Sequence, residues 1–124
     1  MPQRRYPLRL WNATTLAASA TLESGVIDCR TSDPEGLMFK VSAVAETADV
    51  KIEVAFSNDG ATFNEYDTQD SLVDSTNTDW ASTNPEDYHL VNIPWAPFVI
   101  IRITELSTTN AATLINGTLW MTEL

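Results

Sequence analysis

Apolar and polar residues alternate along two stretches near the middle of the chain, and this alternation predicts β-strands. Every second residue from Val50 to Phe56 is apolar, and the intervening positions include Lys51 and Glu53. The same period of two runs through residues 36–45. Strands that bury one face of an antiparallel sheet have this pattern. We therefore expect each stretch to place one face in a core and the other face in a wetter environment.

Other segments have the composition of strands without such regular alternation. Residues 97–106 form a short run rich in β-branched residues and predict a central strand. Residues 112–124 predict a long final strand in which Gly117 marks a bulge or bend. No window has a convincing helical period. Short strands separated by turn signals predict an all-β protein, an antiparallel β-sandwich with jelly-roll or Greek-key-like connections. Three further strand candidates are residues 6–11, 21–30 and 89–95.

The stretch SNDGATF predicts a structural turn rather than a ligand-binding loop. An Asp-Gly pair, here Asp59 and Gly60, accommodates the positive φ that a tight hairpin requires. Ser57 and Asn58 have side chains that can bond to the amides of the turn. We expect the strand to resume immediately afterwards, with Phe63 returning to the core.

A polar, acidic segment at residues 64–87 contains no lysine or arginine. At about two dozen residues it exceeds the usual length of a connection, which predicts one long acidic loop. Tyr66 and Trp80 lie within it, and each is either a pin that holds the loop to the body or an exposed contact residue. We divide the chain into an N-terminal arm or edge strand at residues 1–11 and a single sandwich domain at residues 12–124.

The net charge of the chain excludes some classes of function. Seven basic residues oppose seventeen acidic ones, for a formal net charge of −10. Such a surface repels phosphate backbones and anionic lipids, so we expect no direct nucleic-acid partner and no membrane partner. Three arginines, Arg4, Arg5 and Arg9, stand apart from this acidity in the first nine residues. A basic arm on an acidic body favours contact between subunits, and a frayed terminus is the alternative.

The sequence gives little support for a catalytic or metal-binding site. His89 is the only histidine, and Cys29 lacks the electropositive setting that activates a thiolate. The aspartates of the acidic segment do not have calcium-loop spacing. We therefore predict no enzyme, no metal site and no cofactor. Those aspartates are Asp67, Asp70, Asp74 and Asp79.

The order of the motifs carries a family resemblance. The sequence S-N-D-G-x-x-F occurs at 57–63 and P-F-x-x-I-R-x-T-E at 97–105, followed by a closing strand that begins near N-x-A-T at 110–113. In this respect the chain resembles small all-β structural proteins of tailed bacteriophages. The resemblance implies a virion component, such as a head decoration (cement) protein or a part of the neck or tail, and it transfers no catalytic residues.

From these observations we expect a non-enzymatic capsid decoration protein, assembled in the host cytoplasm and located in the virion. The expected partners are the major capsid protein or other virion proteins, together with further copies of the chain in a homo-oligomer, a trimer above all. A carbohydrate-binding module of discoidin-like or lectin-like type is the alternative, and a neck or tail adaptor is a further one. The expected contact residues are Arg4, Arg5, Arg9, Trp11, Tyr66 and Trp80.

Overall fold

The computed structural model describes residues 3–43, 50–72, 89–106 and 112–124, and these residues form two antiparallel sheets of four strands each. The first sheet has the order β1-β8-β3-β6 and the second has the order β2-β7-β4-β5. The predicted all-β antiparallel sandwich is confirmed. Its strands are β1 (Arg5–Leu16), β2 (Thr21–Asp28), β3 (Ser32–Ala43), β4 (Val50–Ser57), β5 (Asp67–Leu72), β6 (His89–Val91), β7 (Phe98–Glu105) and β8 (Ala112–Glu123).

The pairing of the strands identifies the connection pattern. The first four strands pair in reverse order with the last four, as β1·β8, β2·β7, β3·β6 and β4·β5. The chain is thus one long antiparallel ribbon that reverses between β4 and β5. Two further pairings, β3·β8 and β4·β7, join the ribbon to itself and produce the two sheets. This wiring is a jelly roll, one of the two patterns that the sequence left open.

Alternate residues of the central strands fill the space between the sheets. On β7, Val99, Ile101 and Ile103 are fully buried, whereas the residues between them are half-buried. Leu119 and Met121 on β8 are equally inaccessible and belong to the same core cluster. Burial of each such side chain contributes roughly 1.5–3 kcal/mol relative to exposure. The prediction that residues 97–106 contain a central strand is confirmed.

The N-terminal segment is an edge strand from Arg5 onward. Its first five residues pair regularly with β8, and the backbone carbonyl of Arg4 accepts a hydrogen bond of 2.9 Å from the amide of Glu123. Because backbone groups alternate in direction along an antiparallel pair, those of Pro7 point away from β8. Proline is tolerated on an edge strand in this orientation, since it removes no hydrogen bond of the ladder.

Part of the predicted acidic loop is a strand. Asp67–Leu72 forms β5 and pairs with β4, so residues 64–87 are not a continuous loop. The strand also resumes later than expected after the SNDGATF turn, at Asp67 instead of Thr62, and Phe63 is half-buried. Trp80 lies outside the described residues.

Gly117 accommodates the indole of Trp11. Trp11 is only 5% exposed, and a register shift of β1 occurs on either side of its pairing with Gly117. A Cβ atom on Gly117 would lie 2.5 Å from Cε3 of Trp11. The irregularity predicted at Gly117 is therefore present, and its physical reason is the close approach of a core tryptophan to the backbone of β8.

We predict that Gly117→Ala lowers the free energy of unfolding by about 1–3 kcal/mol, because the added methyl group overpacks against the indole. Urea denaturation measures the change. In the background of Trp11→Leu, which removes the clashing ring atoms, the cost of Gly117→Ala should fall markedly. An equal cost in both backgrounds would contradict the assigned contact.

Candidate functional site

The SNDGATF stretch is a turn held by its own side chains, as predicted, but the bonds to the turn amides come from Ser57 and Asp59 instead of Ser57 and Asn58. The Ser57 hydroxyl accepts hydrogen bonds from the amides of Asp59 and Gly60, at 3.2 and 2.9 Å, and donates one to the Asp59 carboxylate at 2.9 Å. The same carboxylate accepts bonds of 2.9 Å from the amides of Ala61 and Thr62, which lower the pKa of Asp59 to about 2. Gly60 has the positive φ, +77°. These carboxylate and hydroxyl groups are occupied in shaping the tip of the ribbon.

A polar network covers the outer side of the second sheet. Arg102 on β7 lies opposite Glu53 on β4 and donates two hydrogen bonds to its carboxylate, from Nε at 3.3 Å and from Nη2 at 3.0 Å. The hydroxyl of Thr104 donates a third at 2.9 Å, and the ammonium of Lys51 lies 3.5 Å away. Glu53 is only 4% exposed. We call these four residues, with Tyr66 and Glu23, the Glu53 network.

Tyr66 packs on the Glu53 network. The guanidinium carbon of Arg102 lies 3.7 Å from the centre of the Tyr66 ring, and the Tyr66 hydroxyl donates a hydrogen bond of 3.0 Å to Glu23. Burial and the neighbouring Glu23 carboxylate raise the pKa of Tyr66 to about 12, so the phenol stays protonated and able to donate. Of the two interpretations of Tyr66, the contacts support the pin that holds the segment before β5 to the body.

The ionisation of Glu53 depends on these partners. Burial opposes the charged form, but the hydrogen bonds from Arg102 and Thr104 and the nearby positive charges outweigh it, and the pKa of Glu53 is lowered below its ordinary value of 4.5. Glu53 is a buried carboxylate with saturated partners. It does not have the raised pKa or the open surroundings expected of a general acid.

A depression of about 370 Å³ with a mixed polar and apolar lining opens between the edge strands of the two sheets. Its rim includes Leu8 on β1 and Val26 on β2, which are 37% and 53% exposed. Arg9 and Asp28 add one charge of each sign. We call this depression the edge cleft. Its remaining lining residues are Tyr6, Leu10, Ser24, Ile27 and Met121.

The outer surface of the first sheet carries an exposed tryptophan. Leu119 and Met121 point into the core, so Trp120 between them points outward and is 39% exposed. Trp120 lies opposite Pro7 on β1 and Gly36 on β3. The position beside the indole in β3 therefore has no side chain of its own.

Leu90 and Met38 extend this apolar surface across the sheet. A Cβ atom on Gly36 would lie 2.7 Å from Cδ1 of Leu90, so Leu90 reaches over the glycine, although it is itself 68% exposed. Met38 pairs with Leu90 on one side and with Thr118 on the other. We call the surface of Pro7, Met38, Leu90 and Trp120 the Trp120 face. A depression of about 360 Å³ within it is lined by Pro7, Arg9, Met38, Thr118 and Trp120.

The predicted contact residues do not form one site. Trp11 is a core residue, and its burial removes it from the set of surface contacts. Through Trp11 and its pairing with β8, the end of the predicted arm is part of the sandwich. Arg4 and Arg5 are exposed and form surface ion pairs with Glu123 at 3.3 Å and with Glu35 at 3.1 Å.

Arg9 is the predicted residue that reaches both depressions. It has no hydrogen bond or ion pair with any residue that the structure describes. The Trp120 face was not predicted from the sequence. The available signal was an aromatic residue at a position that alternation assigns to the outward face of β8, between the inward-facing Leu119 and Met121.

Within the described ranges, no group of three or more histidine, cysteine, aspartate or glutamate residues could hold a metal ion. Cys29 is fully buried, and burial raises the pKa of its thiol to about 11. Asp67 and Asp70 lie on β5, whereas Asp74 and Asp79 are outside the described residues. No helix in the described part of the chain is long and apolar enough to span a bilayer. The candidate sites in the described residues are therefore two surfaces that combine apolar and polar groups, the edge cleft and the Trp120 face.

Comparison of the chain with protein-family models, with curated proteins and with solved structures finds no match.

We predict that Glu53→Gln destabilises the protein by about 2–3 kcal/mol near neutral pH, because it removes the charge that Arg102 and Thr104 satisfy. The folded-state pKa of Glu53 is depressed, so its contribution is present above the ordinary value of 4.5 and is lost as the pH falls through the lowered pKa. The stability gap between wild type and variant should therefore narrow as the pH falls below about 4.5.

Urea denaturation at a series of pH values measures this gap. Glu65→Gln, at an exposed acid before β5, is the matched control and should leave both the stability and its pH dependence nearly unchanged. A gap between wild type and Glu53→Gln that is constant from pH 7 to pH 3 would refute the role of the Glu53 charge.

Proposed function

We propose that this protein is a non-enzymatic virion component, a capsid decoration protein that binds capsid subunits as an oligomer. The observation that carries the proposal is the edge cleft. Exposed apolar residues from two different edge strands, Leu8 and Val26, border one depression. Clustered apolar exposure of this kind is typical of surfaces that bind another protein.

The basic edge beside the cleft supports a protein partner of opposite charge. Arg4, Arg5 and Arg9 lie on or next to β1, on a chain whose formal net charge is −10. The ion pairs of Arg4 and Arg5 are exposed, and exposed pairs contribute at most about 1 kcal/mol. Both arginines can therefore exchange their present partners for acidic groups of a neighbouring subunit at little cost.

The outward backbone of β1 favours contact through side chains. Pro7 has no amide hydrogen to offer at the free edge, which weakens pairing with a foreign strand. The apolar side chains at the cleft and the arginines beside it remain available. A contact of this type is modest for one chain and becomes strong when several linked copies bind together.

The sequence of residues 64–87 carries charge of the opposite sign within the same protein. It contains no lysine or arginine, and Tyr66 is pinned to the second sheet. Contact between the basic edge of one copy and these acidic residues of the next would be heterologous, and heterologous contacts form rings where the rotation between copies closes. A trimer is the ring that we propose.

We predict a solution species of three times the 13.7 kDa chain mass, measured by sedimentation velocity. Raising the salt concentration should shift the population toward monomer, because screening weakens contacts between basic and acidic surfaces. A ring of six or twelve copies would instead favour the alternative of a neck or tail adaptor. A monomer at all concentrations would contradict self-assembly in solution.

We predict that Val26→Asp, alone or with Leu8→Asp, reduces binding to expanded heads of the encoding phage by at least tenfold. A carboxylate placed at the apolar rim of the edge cleft would have to be desolvated on binding. Co-sedimentation with heads prepared without the protein measures the effect.

Leu106→Asp is the matched control, since Leu106 is an exposed apolar residue that lines neither depression. It should bind like the wild type. Thermal unfolding of every variant separates a lost contact from a lost fold. Undiminished head binding by the folded double variant would overturn the role of the edge cleft.

A further inference from the structure

We infer that the Trp120 face is a binding site for acidic saccharides. The first argument is the shape of the surface. The indole of Trp120 is exposed on a sheet, and the space above its β3 neighbour, Gly36, is taken by the side chain of Leu90. The indole and Leu90 thus form an apolar surface that includes a flat aromatic ring. The C–H face of a pyranose ring is the complementary flat surface, and such stacking buries apolar area on both sides.

The second argument is the composition of the depression beside the indole. At about 360 Å³ it falls within the size range of small-ligand sites. Its lining combines apolar side chains with two polar groups, the guanidinium of Arg9 and the hydroxyl of Thr118. Small-molecule sites commonly have this combination, in which the apolar groups supply affinity and the few polar groups fix orientation.

The third argument is charge. Arg9 has only donors, and no described residue forms an ion pair or a hydrogen bond with it. A carboxylate is the group that matches a guanidinium with two parallel hydrogen bonds. Arg9 and Thr118 lie opposite each other on β1 and β8, two pairs along from Pro7 and Trp120 and therefore on the same face of the sheet. A ring that stacks on Trp120 can therefore place a carboxylate on Arg9, as uronic and sialic acids would.

The other tryptophan exposed in the described residues has a different role. Trp95 is half-exposed, but its indole nitrogen donates hydrogen bonds to the backbone carbonyls of Cys29 at 2.9 Å and Ser32 at 3.3 Å. Its ring therefore ties the connection between β6 and β7 to the end of β2. Tyr66, a candidate in the carbohydrate-binding alternative, is covered on one face by Arg102. Trp120 is the described aromatic residue that combines an exposed ring, an adjacent depression and an unpaired cation.

The edge cleft and the Trp120 face share Arg9, so a change at Trp120 is what separates saccharide binding from the capsid contact. The experiment uses an array of immobilised oligosaccharides that includes neutral hexose oligomers, uronic acid oligomers and sialylated oligosaccharides. The best ligand is then titrated in solution by calorimetry, beside its methyl ester, which keeps the rings and lacks the charge.

We expect acidic members of the array to bind and the methyl ester to bind at least tenfold more weakly. Trp120→Leu, which keeps an apolar side chain without the ring, should weaken binding at least tenfold. Arg9→Gln should remove the preference for the acid over its ester. Leu106→Ser, at an exposed apolar residue that lines neither depression, is the control and should bind like the wild type.

An array without any acidic ligand would overturn the inference, as would binding that Trp120→Leu leaves intact. A changed sedimentation mass for Trp120→Leu, together with an empty array, would instead assign the face to contact between copies of the chain. Thermal unfolding of each variant confirms that the fold is retained. None of these results depends on whether the protein binds heads.

Discussion

The packing of β7 and β8 into one core is the interaction on which the rest of the molecule depends. Each is an inner strand of its sheet, and together they pair with β1, β2, β3 and β4. Their inward-facing apolar residues are essentially inaccessible to solvent. These two strands hold both sheets together. The edge strands β1 and β2 lie at the margin of the sandwich and form part of its surface. The edge cleft exists where those edges do not meet closely enough to bury Leu8 and Val26.

The outer surfaces of the two sheets differ in a way that follows from what covers them. On the second sheet, Tyr66 and Arg102 lie over Glu53, and the charged groups of the Glu53 network have partners. On the first sheet, no described segment lies over Trp120, and Arg9 beside it has no ion-pair partner among the described residues. One outer surface is thus consolidated as part of the fold. The other keeps its apolar and cationic groups accessible to a ligand.

Much of the fold could be predicted from local pattern, because period-two alternation directly reports a half-buried strand. The strand at residues 50–56 was located well for this reason, and those at 97–106 and 112–124 were located from their strand-like composition. β5 could not be found in this way, since Asp67–Leu72 is a polar segment whose strand conformation comes from pairing with β4. Glu53 and Ala55 occupy positions that alternation assigns to the wetter side, yet both are buried, because segments distant in sequence cover that side.

The candidate sites were less predictable, because a surface depends on which strands become neighbours. The turn at Ser57–Gly60 was predicted correctly, since its hydrogen bonds are made within six residues of sequence. Trp11 was expected to be a contact residue because it lies near the terminus, but proximity to a terminus carries no information about burial. Trp120, Gly36, Met38 and Leu90 come from three strands, and only the pairing of those strands brings them together.

The pairing of the first strand with the last has a consequence for how the protein acquires its structure. Arg5 and Thr122 lie nearly a chain length apart in sequence and are directly opposite in the first sheet. Contacts of such separation form slowly, because a long loop must close before they stabilise anything. During synthesis β1 has no partner until β8 has left the ribosome, whereas the β4–β5 hairpin is complete much earlier. We therefore expect folding to begin at the SNDGATF tip and to finish at the β1 edge, next to the edge cleft and the Trp120 face.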